Sequence, residues 1–204
     1  MLADENIIIA LGAVDRQEAG RPKAANAVAI LADPVFDAGD ERLAVSNGQD
    51  SVSLPSLVSS DLNRSAHDLG LTRAGKAYLS RLLYTRNEAI AVMSVTPPGK
   101  GMLALDFAAN RRVATRAALA RYRIVHFATH GIMDNHHPEL SGLVLSLVDK
   151  KGKAQDGFLK LQDIYNLKLP VELVVLSGCQ TGLGEQINGE GLIGLTRGFM
   201  DAGA

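Results

Sequence analysis

Two stretches of the chain each combine an apolar run with one reactive side chain at its end. The first, RIVHFATHG (123–131), carries His130, and the second, ELVVLSGCQTG (172–182), carries Cys179. Apolar runs of this length are typical of strands buried in a parallel sheet. Because ligands and catalytic groups collect at the carboxyl ends of such strands, we expect the imidazole and the thiol to face each other across one crevice.

A thiol beside an imidazole is a nucleophile with its base. The thiolate is the attacking form, so the ordinary thiol pKa of about 8.5 must fall, or a base must take the proton, for attack at neutral pH. A neighbouring imidazole does both. Glycines stand beside both side chains, at Gly131 and Gly178, and a residue without a Cβ lets a substrate backbone approach. The backbone N–H groups of Gly131 and Cys179 are therefore the candidate donors of an oxyanion hole.

Each of the two side chains also has a structural interpretation. Cysteine is among the most buried residue types, and a histidine at a strand end often serves as a hydrogen-bonded structural residue. The combination favours chemistry, because both residues follow apolar strands, both stand beside a glycine, and only one strand and one helical turn are predicted between them. Cys179 is the single cysteine of the chain, so it has no intrachain disulfide partner.

The elements that must position this pair alternate between strands and helices. Such alternation predicts an α/β fold with a mainly parallel sheet. Strands are predicted at residues 27–32, 102–107, 123–128, 142–148 and 171–176. Helices are predicted at 4–19, 85–95, 112–120, 161–166 and 190–202, and a long surface loop with a short helix at 37–71.

One of these helices has a specific start signal. The segment TRNE (85–88) matches a capping box, in which the Thr hydroxyl and the Glu carboxylate satisfy the first free backbone donors. The helix should then run to about Val95, and PPG (97–99) should end it. Its inward side chains are predicted to be Ala89, Ile90 and Met93.

Composition narrows the class of protein. The 204 residues fit one domain, 1–204, and a net charge of -1 offers no basic field for nucleic acid. The first apolar run, 7–14, is far shorter than the roughly 20 residues that cross a bilayer, so no membrane partner is expected. The acidic start MLADEN lacks the basic region of a secretory signal, and a chain without disulfides fits a cytoplasmic location.

Two other patterns are weaker. GEGLIG (189–194) spells a dinucleotide-binding motif, but it begins about a dozen residues after the strand ends, so we reject that interpretation and expect close helix packing instead. The histidines His126, His130, His136 and His137 could suggest a metal site. His126 and His130 straddle a strand end, and no thiolate or carboxylate partner has convincing spacing, so no metal or other cofactor is predicted. Asp134 and Asn135 could orient His130, on sequence proximity alone.

In combination, these motifs resemble the CHAT domain family of caspase-like cysteine peptidases. The resemblance is densest from residue 122 onward and looser before it. It is carried by HFATHG (126–131), HPELSGLVLS (137–146), DGFL (156–159), IYNLKL (164–169), LVVLSGCQTGLG (173–184) and GEGLIGLTRGFMDAGA (189–204), with ILADPVF (30–36) and TRNEA (85–89) earlier.

The resemblance implies a three-layer caspase or gingipain type of fold, with helices on both faces of the sheet. It makes His130 the general base and Cys179 the nucleophile of an endopeptidase that needs no cofactor. The family commonly has Ala at the position of Gly178, a change expected to be harmless. The family also continues into a further strand that helps to form the substrate groove, so the domain is expected to be incomplete at its C-terminal end.

Substrate choice and partners are expectations of the same kind. Asp33 closes the first parallel strand, where relatives that cleave after basic residues carry an acid, so it is a candidate substrate-binding residue. Its position before Pro34 alternatively indicates a simple turn, which we favour. The expected partner is a protein or peptide substrate, with helical-repeat (TPR-type) regions in a longer chain or a partner. The alternative function is a catalytically silent interaction or signalling module.

Overall fold

An eight-stranded sheet carries the fold in this computed structural model, which describes residues 6–12, 24–43, 59–134, 136–181 and 190–204. The strands are β1 (Asn6–Gly12), β2 (Asn26–Ala32), β5 (Gly101–Leu105), β6 (Tyr122–Ala128), β7 (His130–Ile132), β8 (Gly142–Val144), β9 (Phe158–Lys160) and β10 (Leu173–Thr181), with a separate two-stranded hairpin of β3 (Thr72–Arg73) and β4 (Lys76–Ala77). The helices of the described ranges are α1 (Ser60–Asp68), α2 (Leu83–Ser94), α3 (Arg111–Ala114), α4 (Leu161–Tyr165) and α5 (Glu190–Asp201).

The centre of the sheet is parallel. Strands β5, β2, β6 and β10 lie side by side in that order and run in one direction. At their carboxyl ends the sheet continues through β7, which also pairs parallel with β10, into the antiparallel β8 and β9. Strand β1 pairs antiparallel with the other edge of β10. The predicted α/β class with a mainly parallel sheet is confirmed.

Alternate side chains of the central strands enter two separate apolar layers, as the pleat requires. On one face, Leu31, Phe127 and Val174 pack in the larger core with residues of α4 and α5. On the other face, Ile30 and Ala128 pack against α2 in a smaller core. Helices therefore cover both faces, and the sheet is the middle of three layers.

Helix α5 lies closely against the sheet and against α4. The ring of Phe199 is fully buried, with its centroid 5.7 Å from that of Phe127 on β6. A Cβ at Gly194 or Gly198 would stand 3.2 Å or 3.1 Å from the side chain of Leu161, so both glycines permit the close approach of α5 to α4. The packing role expected for the glycine motif at 189–194 thus holds for Gly194, the member of that motif whose surroundings the structure describes.

The predicted helix at 4–19 is wrong where it falls within the described residues, because Asn6–Gly12 is the strand β1. The spacing of Ile7 and Leu11 fits one helix face, but Ile7, Ile8 and Ile9 are consecutive. β-Branched residues are stiff at χ1 and favour strands, and the open edge of β10 offers backbone partners along the whole of β1. The remainder of that prediction, 13–19, lies outside the described residues.

The predicted capping box of α2 is also wrong. The helix starts at Leu83, two residues earlier, and the Thr85 hydroxyl donates to the carbonyl of Leu82 at 2.8 Å. The Glu88 carboxylate accepts a hydrogen bond from Ser177 on β10 and so does not cap the helix. Ile90, predicted to point inward, is 50% exposed, whereas Ala89 is buried as expected.

Two other elements are shorter than predicted. The helix expected at 112–120 is divided into α3 and a 3-10 helix, Ala117–Arg121, because Arg116 between them is extended. The strand expected at 142–148 ends at Val144. Beyond it the backbone N–H groups of Leu145, Ser146 and Leu147 donate to three different segments, at Gly157, Ala109 and Val35, so no ladder can continue.

Truncation of Phe199 tests the packing of α5. We expect Phe199→Ala to lower the free energy of unfolding by about 3–5 kcal/mol, because a large ring leaves a cavity in the core. Met200, the next residue, is 52% exposed, so Met200→Ala is the matched control and should change it by less than about 1 kcal/mol. Urea denaturation followed by circular dichroism measures both variants, and equal losses would contradict the packing.

Candidate active site

The sheet places positions 130 and 179 on neighbouring strands at the same level. Leu173 lies opposite Ile124 on β6, and Gln180 lies opposite Gly131 on β7, so the partners are 49 positions apart in both ladders. Strands β6 and β7 therefore form one line along β10, interrupted only at Thr129. Continued through the interruption, the same register sets the backbone of residue 130 beside that of residue 179.

His130 is held in a buried position. Its side chain is almost fully enclosed, and its ring centroid lies 5.0 Å from that of Phe36. Its Nε2 lies 2.6 Å from the backbone carbonyl oxygen of Ser80. Ser80 precedes α2 by three residues, so the segment leading into that helix determines how the imidazole is oriented.

The hydrogen-bond partner of Nε2 also determines which ring nitrogen of His130 carries the proton. A carbonyl oxygen only accepts hydrogen bonds, so Nε2 of His130 carries the proton and Nδ1 is the basic nitrogen. Burial lowers the pKa of His130 below its ordinary value of 6.5, and the hydrogen bond to Ser80 offsets only part of that effect. The imidazole is consequently neutral at pH 7, which is the protonation state that a general base requires.

The two glycines beside the site differ in their surroundings. A Cβ at Gly178 would overlap the carbonyl oxygen of Thr129 on the facing strand, so this position admits no side chain. This backbone contact requires glycine in this chain, and it does not test the expectation that glycine in place of the family's alanine is harmless. At Gly131 the nearest atom to an added Cβ is Met133 Cε at 3.7 Å, an ordinary van der Waals contact.

A second polar cluster lies between α2 and the strands β6 and β10, a few residues before His130 and Cys179. His126 Nε2 lies 2.7 Å from Ser177 Oγ, and Ser177 Oγ donates to Glu88 Oε2 at 2.9 Å. Glu88 Oε1 stands 3.5 Å from the same imidazole nitrogen. Burial lowers the pKa of His126, and the negative charge of Glu88 opposes that effect.

Asp33 is surrounded by arginines. It directly follows β2 with a φ of 48° and is 1% exposed. Its carboxylate meets Arg81 at 2.8 Å, Arg86 at 2.7 Å and Arg42 at 3.0 Å. The three guanidinium groups leave the carboxylate little capacity for a basic substrate side chain, so Asp33 is foremost the anchor of this cluster.

Asp106 completes the cluster at the end of the adjacent strand β5. It binds Arg42 at 2.8 Å and also pairs with Arg86. Burial alone would raise the pKa of Asp106, but the hydrogen bonds from both arginines lower it overall. A cavity of about 440 Å³ opens over the same side chains and extends to Lys150. Its lining carries four cationic side chains, Arg42, Arg81, Arg86 and Lys150, and two acidic ones, Glu41 and Asp106.

The other predicted polar residues form turns. Asp134 accepts the backbone N–H groups of His136 at 2.9 Å and His137 at 2.8 Å through one oxygen. Arg64 donates to Nε2 of His137 at 3.0 Å. Within the described ranges no group of three His, Cys, Asp or Glu residues could hold a metal ion. Asn135 lies outside the described residues.

A mainly parallel sheet with helices on both faces defines an α/β protein, and a histidine and a cysteine lie on its adjacent strands at one level. The chain belongs to the CHAT domain family, a caspase-like and peptidase-related family, whose model matches residues 6–204. Comparison with curated proteins and with solved structures returned no significant match. No helix in the described part of the chain is both long and apolar enough to cross a bilayer.

Three residues of the site were missed by sequence reasoning. Ser80 acts through its carbonyl, which every residue type carries, so its identity gives no signal. Glu88 belonged to a convincing capping motif, which concealed its long-range partner. Ser177 lies two positions before Cys179. This proximity to Gly178 and Cys179 is the one sequence signal that could have identified it.

The two glycines give a paired prediction. Gly178→Ala should lower the free energy of unfolding by about 3 kcal/mol, because its methyl group meets a backbone oxygen that cannot move without separating the strands. Gly131→Ala is the control and should keep near-normal stability, because its methyl group has room. Thermal unfolding measured for both proteins checks the difference. A stable Gly178→Ala protein would contradict the close contact of β10 with Thr129.

Proposed function

We propose that this chain is the cysteine endopeptidase-like domain of a CHAT protein and hydrolyses peptide bonds with Cys179 as nucleophile and His130 as base. The observation that carries the proposal is the orientation of His130. A buried imidazole whose Nε2–H donates to a carbonyl keeps Nδ1 as its basic nitrogen, and the strand register brings the backbone of residue 179 beside that of residue 130.

In the proposed reaction His130 takes the thiol proton as the sulfur of Cys179 bonds to the substrate carbonyl carbon. The resulting oxyanion is received by the backbone N–H groups of Gly131 and Cys179. The imidazolium then gives its proton to the leaving amine, which breaks the peptide bond and leaves an acyl-thioester. Water, deprotonated by His130, hydrolyses the thioester and restores the thiol.

The Ser80 carbonyl has a defined part in this cycle. It accepts a hydrogen bond from Nε2–H throughout the cycle. This bond keeps the imidazole in one orientation while Nδ1 gains and loses its proton. It also stabilises the transient imidazolium, because a carbonyl dipole favours the charged form. Asp33 enters the proposal as the anchor of Arg81, the residue that follows Ser80.

Substitution of the pair tests the proposal. Cys179→Ala should abolish cleavage of a protein substrate and covalent labelling by a thiol-reactive peptide probe. His130→Asn should lower the labelling rate by about 100-fold or more, the usual contribution of a positioned base. Intact-mass spectrometry measures the labelling, and circular dichroism shows whether each variant has folded.

Tyr84→Ala is a suitable control for these variants, because this side chain is 76% exposed and should leave both folding and labelling unchanged. Cleavage by Cys179→Ala at the wild-type rate would exclude the mechanism. A folded wild-type protein whose labelling does not depend on His130 would instead favour a silent interaction module.

The pH dependence has a defined sign. Burial lowers the pKa of His130 from 6.5, so the base stays deprotonated at pH 6.5 and the acidic limb of the cleavage rate should lie below that pH. Below about 6.5 the unfolded chain binds more protons at this histidine than the folded chain, so stability also falls with decreasing pH. Circular dichroism at each pH separates the two effects. A limb centred above pH 6.5, with the fold intact, would contradict a buried neutral base.

A further inference from the structure

The cluster of Glu88, Ser177 and His126 is not used in the proposed reaction. His126 and Ser177 are 5% and 4% exposed, and the Glu88 side chain is 32% exposed. The three residues come from α2, β10 and β6, so the cluster connects three elements that are distant in sequence. A buried polar group that loses its hydrogen bonds pays a desolvation penalty, so a buried polar cluster costs stability unless every member keeps its partners. Its presence here therefore indicates a role besides packing.

The direction of the hydrogen bonds excludes a second nucleophile and base. Ser177 has one hydroxyl proton, and it is donated to Glu88 Oε2. The short contact to His126 must then use a serine lone pair, with the imidazole Nε2 as donor. The imidazole therefore cannot act as a base for this hydroxyl, and the cluster holds atoms in place instead.

The backbone of Ser177 adds a fourth connection. Its carbonyl oxygen accepts the N–H of Thr129 at 3.0 Å, and Thr129 is the residue that interrupts β6 and β7. Ser177 thus joins α2 through its side chain and the interruption through its carbonyl. Ser177 lies two residues before Cys179 on β10. It pairs with Ala128, which lies two residues before His130.

The same cluster bears on the orientation of His130. Helix α2 starts three residues after Ser80, whose carbonyl binds the imidazole. Ala89 is the fully buried apolar residue of this helix, and Val92 and Met93 pack partly buried against the same core, so apolar contacts hold α2 on the sheet and polar contacts add direction. Arg86 binds Asp33 from the first turn of α2, and Glu88 binds Ser177 from the second turn. These two polar contacts therefore set where α2, and with it the Ser80 segment, lies on the sheet.

From this geometry we propose that Glu88, Ser177 and His126 are positioning residues that align the thiol of Cys179 with the imidazole of His130. The inference rests on the proposed function and adds the residues through which the pair is aligned. Glu88 fixes the Ser80 carbonyl relative to the sheet through α2, and Ser177 with His126 fixes β10 relative to β6. Loss of either connection should separate nucleophile and base without removing either.

The single cysteine allows a direct test, because alkylation by iodoacetamide measured by intact mass reports on Cys179 alone. At pH 7 we expect Glu88→Ala and Ser177→Ala to lower the alkylation rate at least about tenfold, as is usual for residues that orient reactive groups. Glu88→Gln should recover most of the rate, because its amide oxygen still accepts from Ser177.

Ser65→Ala is the matched control, since Ser65 is also a fully buried serine and its hydroxyl donates to the Leu140 carbonyl at 3.0 Å. Ser65→Ala should lower the unfolding temperature about as much as Glu88→Ala and Ser177→Ala do, and it should leave the alkylation rate unchanged. Equal rates in wild type, Glu88→Ala and Ser177→Ala would overturn the inference, and so would an equal loss in Ser65→Ala. If one of the two variants does not fold, the rate of the other decides.

The proposed function has a separate point of failure in the same experiment. It fails if the wild-type rate equals that of His130→Asn, and the inference then fails with it. If the wild type reacts faster than His130→Asn but the cluster variants react like wild type, the inference alone is wrong. A loss of rate in the cluster variants at a stability matched to Ser65→Ala supports it.

Discussion

The contact between β10 and the line of β6 and β7 is the constraint on which the site depends. Two features enforce it at Thr129: its N–H donates to the Ser177 carbonyl, and its own carbonyl fills the space where a side chain at Gly178 would stand. The register is identical before and after this point. As a result, a strand that is interrupted, and that gains a new antiparallel neighbour in β8, still keeps residue 130 level with residue 179.

Burial then decides the chemistry that this geometry permits. His130 is enclosed and neutral, while Asp33 and Asp106 pair with arginines at the ends of β2 and β5. The neutral state is therefore set by exclusion of water and not by an adjacent cation. A carboxylate partner would have stabilised the imidazolium strongly, whereas the Ser80 carbonyl does so weakly.

The strands around the site were predictable and the contacts between distant segments were not. Apolar runs located β2, β6 and β10, but the predicted placement of the reactive residues after the strand ends was wrong. β10 continues through Gly178 to Thr181 and β7 begins at His130, so both reactive residues lie within strands and not after them. Helix α2 was found but its start was misplaced, because TRNE satisfies a local capping rule while Glu88 has a stronger partner on β10. Likewise β1 fits a helical spacing, and only the unpaired edge of β10 decides in favour of a strand. In both cases a tertiary hydrogen bond overrides a local signal, and such bonds leave no periodic trace in the sequence.

The position of β1 limits how a peptide can reach the proposed site. β10 is paired along both edges: β1 lies antiparallel on one side, with Asn6 opposite Cys179, and β6 and β7 lie on the other. A peptide therefore cannot join β10 as an additional strand while β1 is paired there, because each edge of a strand offers one set of backbone groups. At the carboxyl ends of the strands, Phe36 and the Ser80 carbonyl are among the described groups that border His130. Under the proposed function, residues on those two loops, more than residues of the sheet itself, are the ones that a peptide would contact.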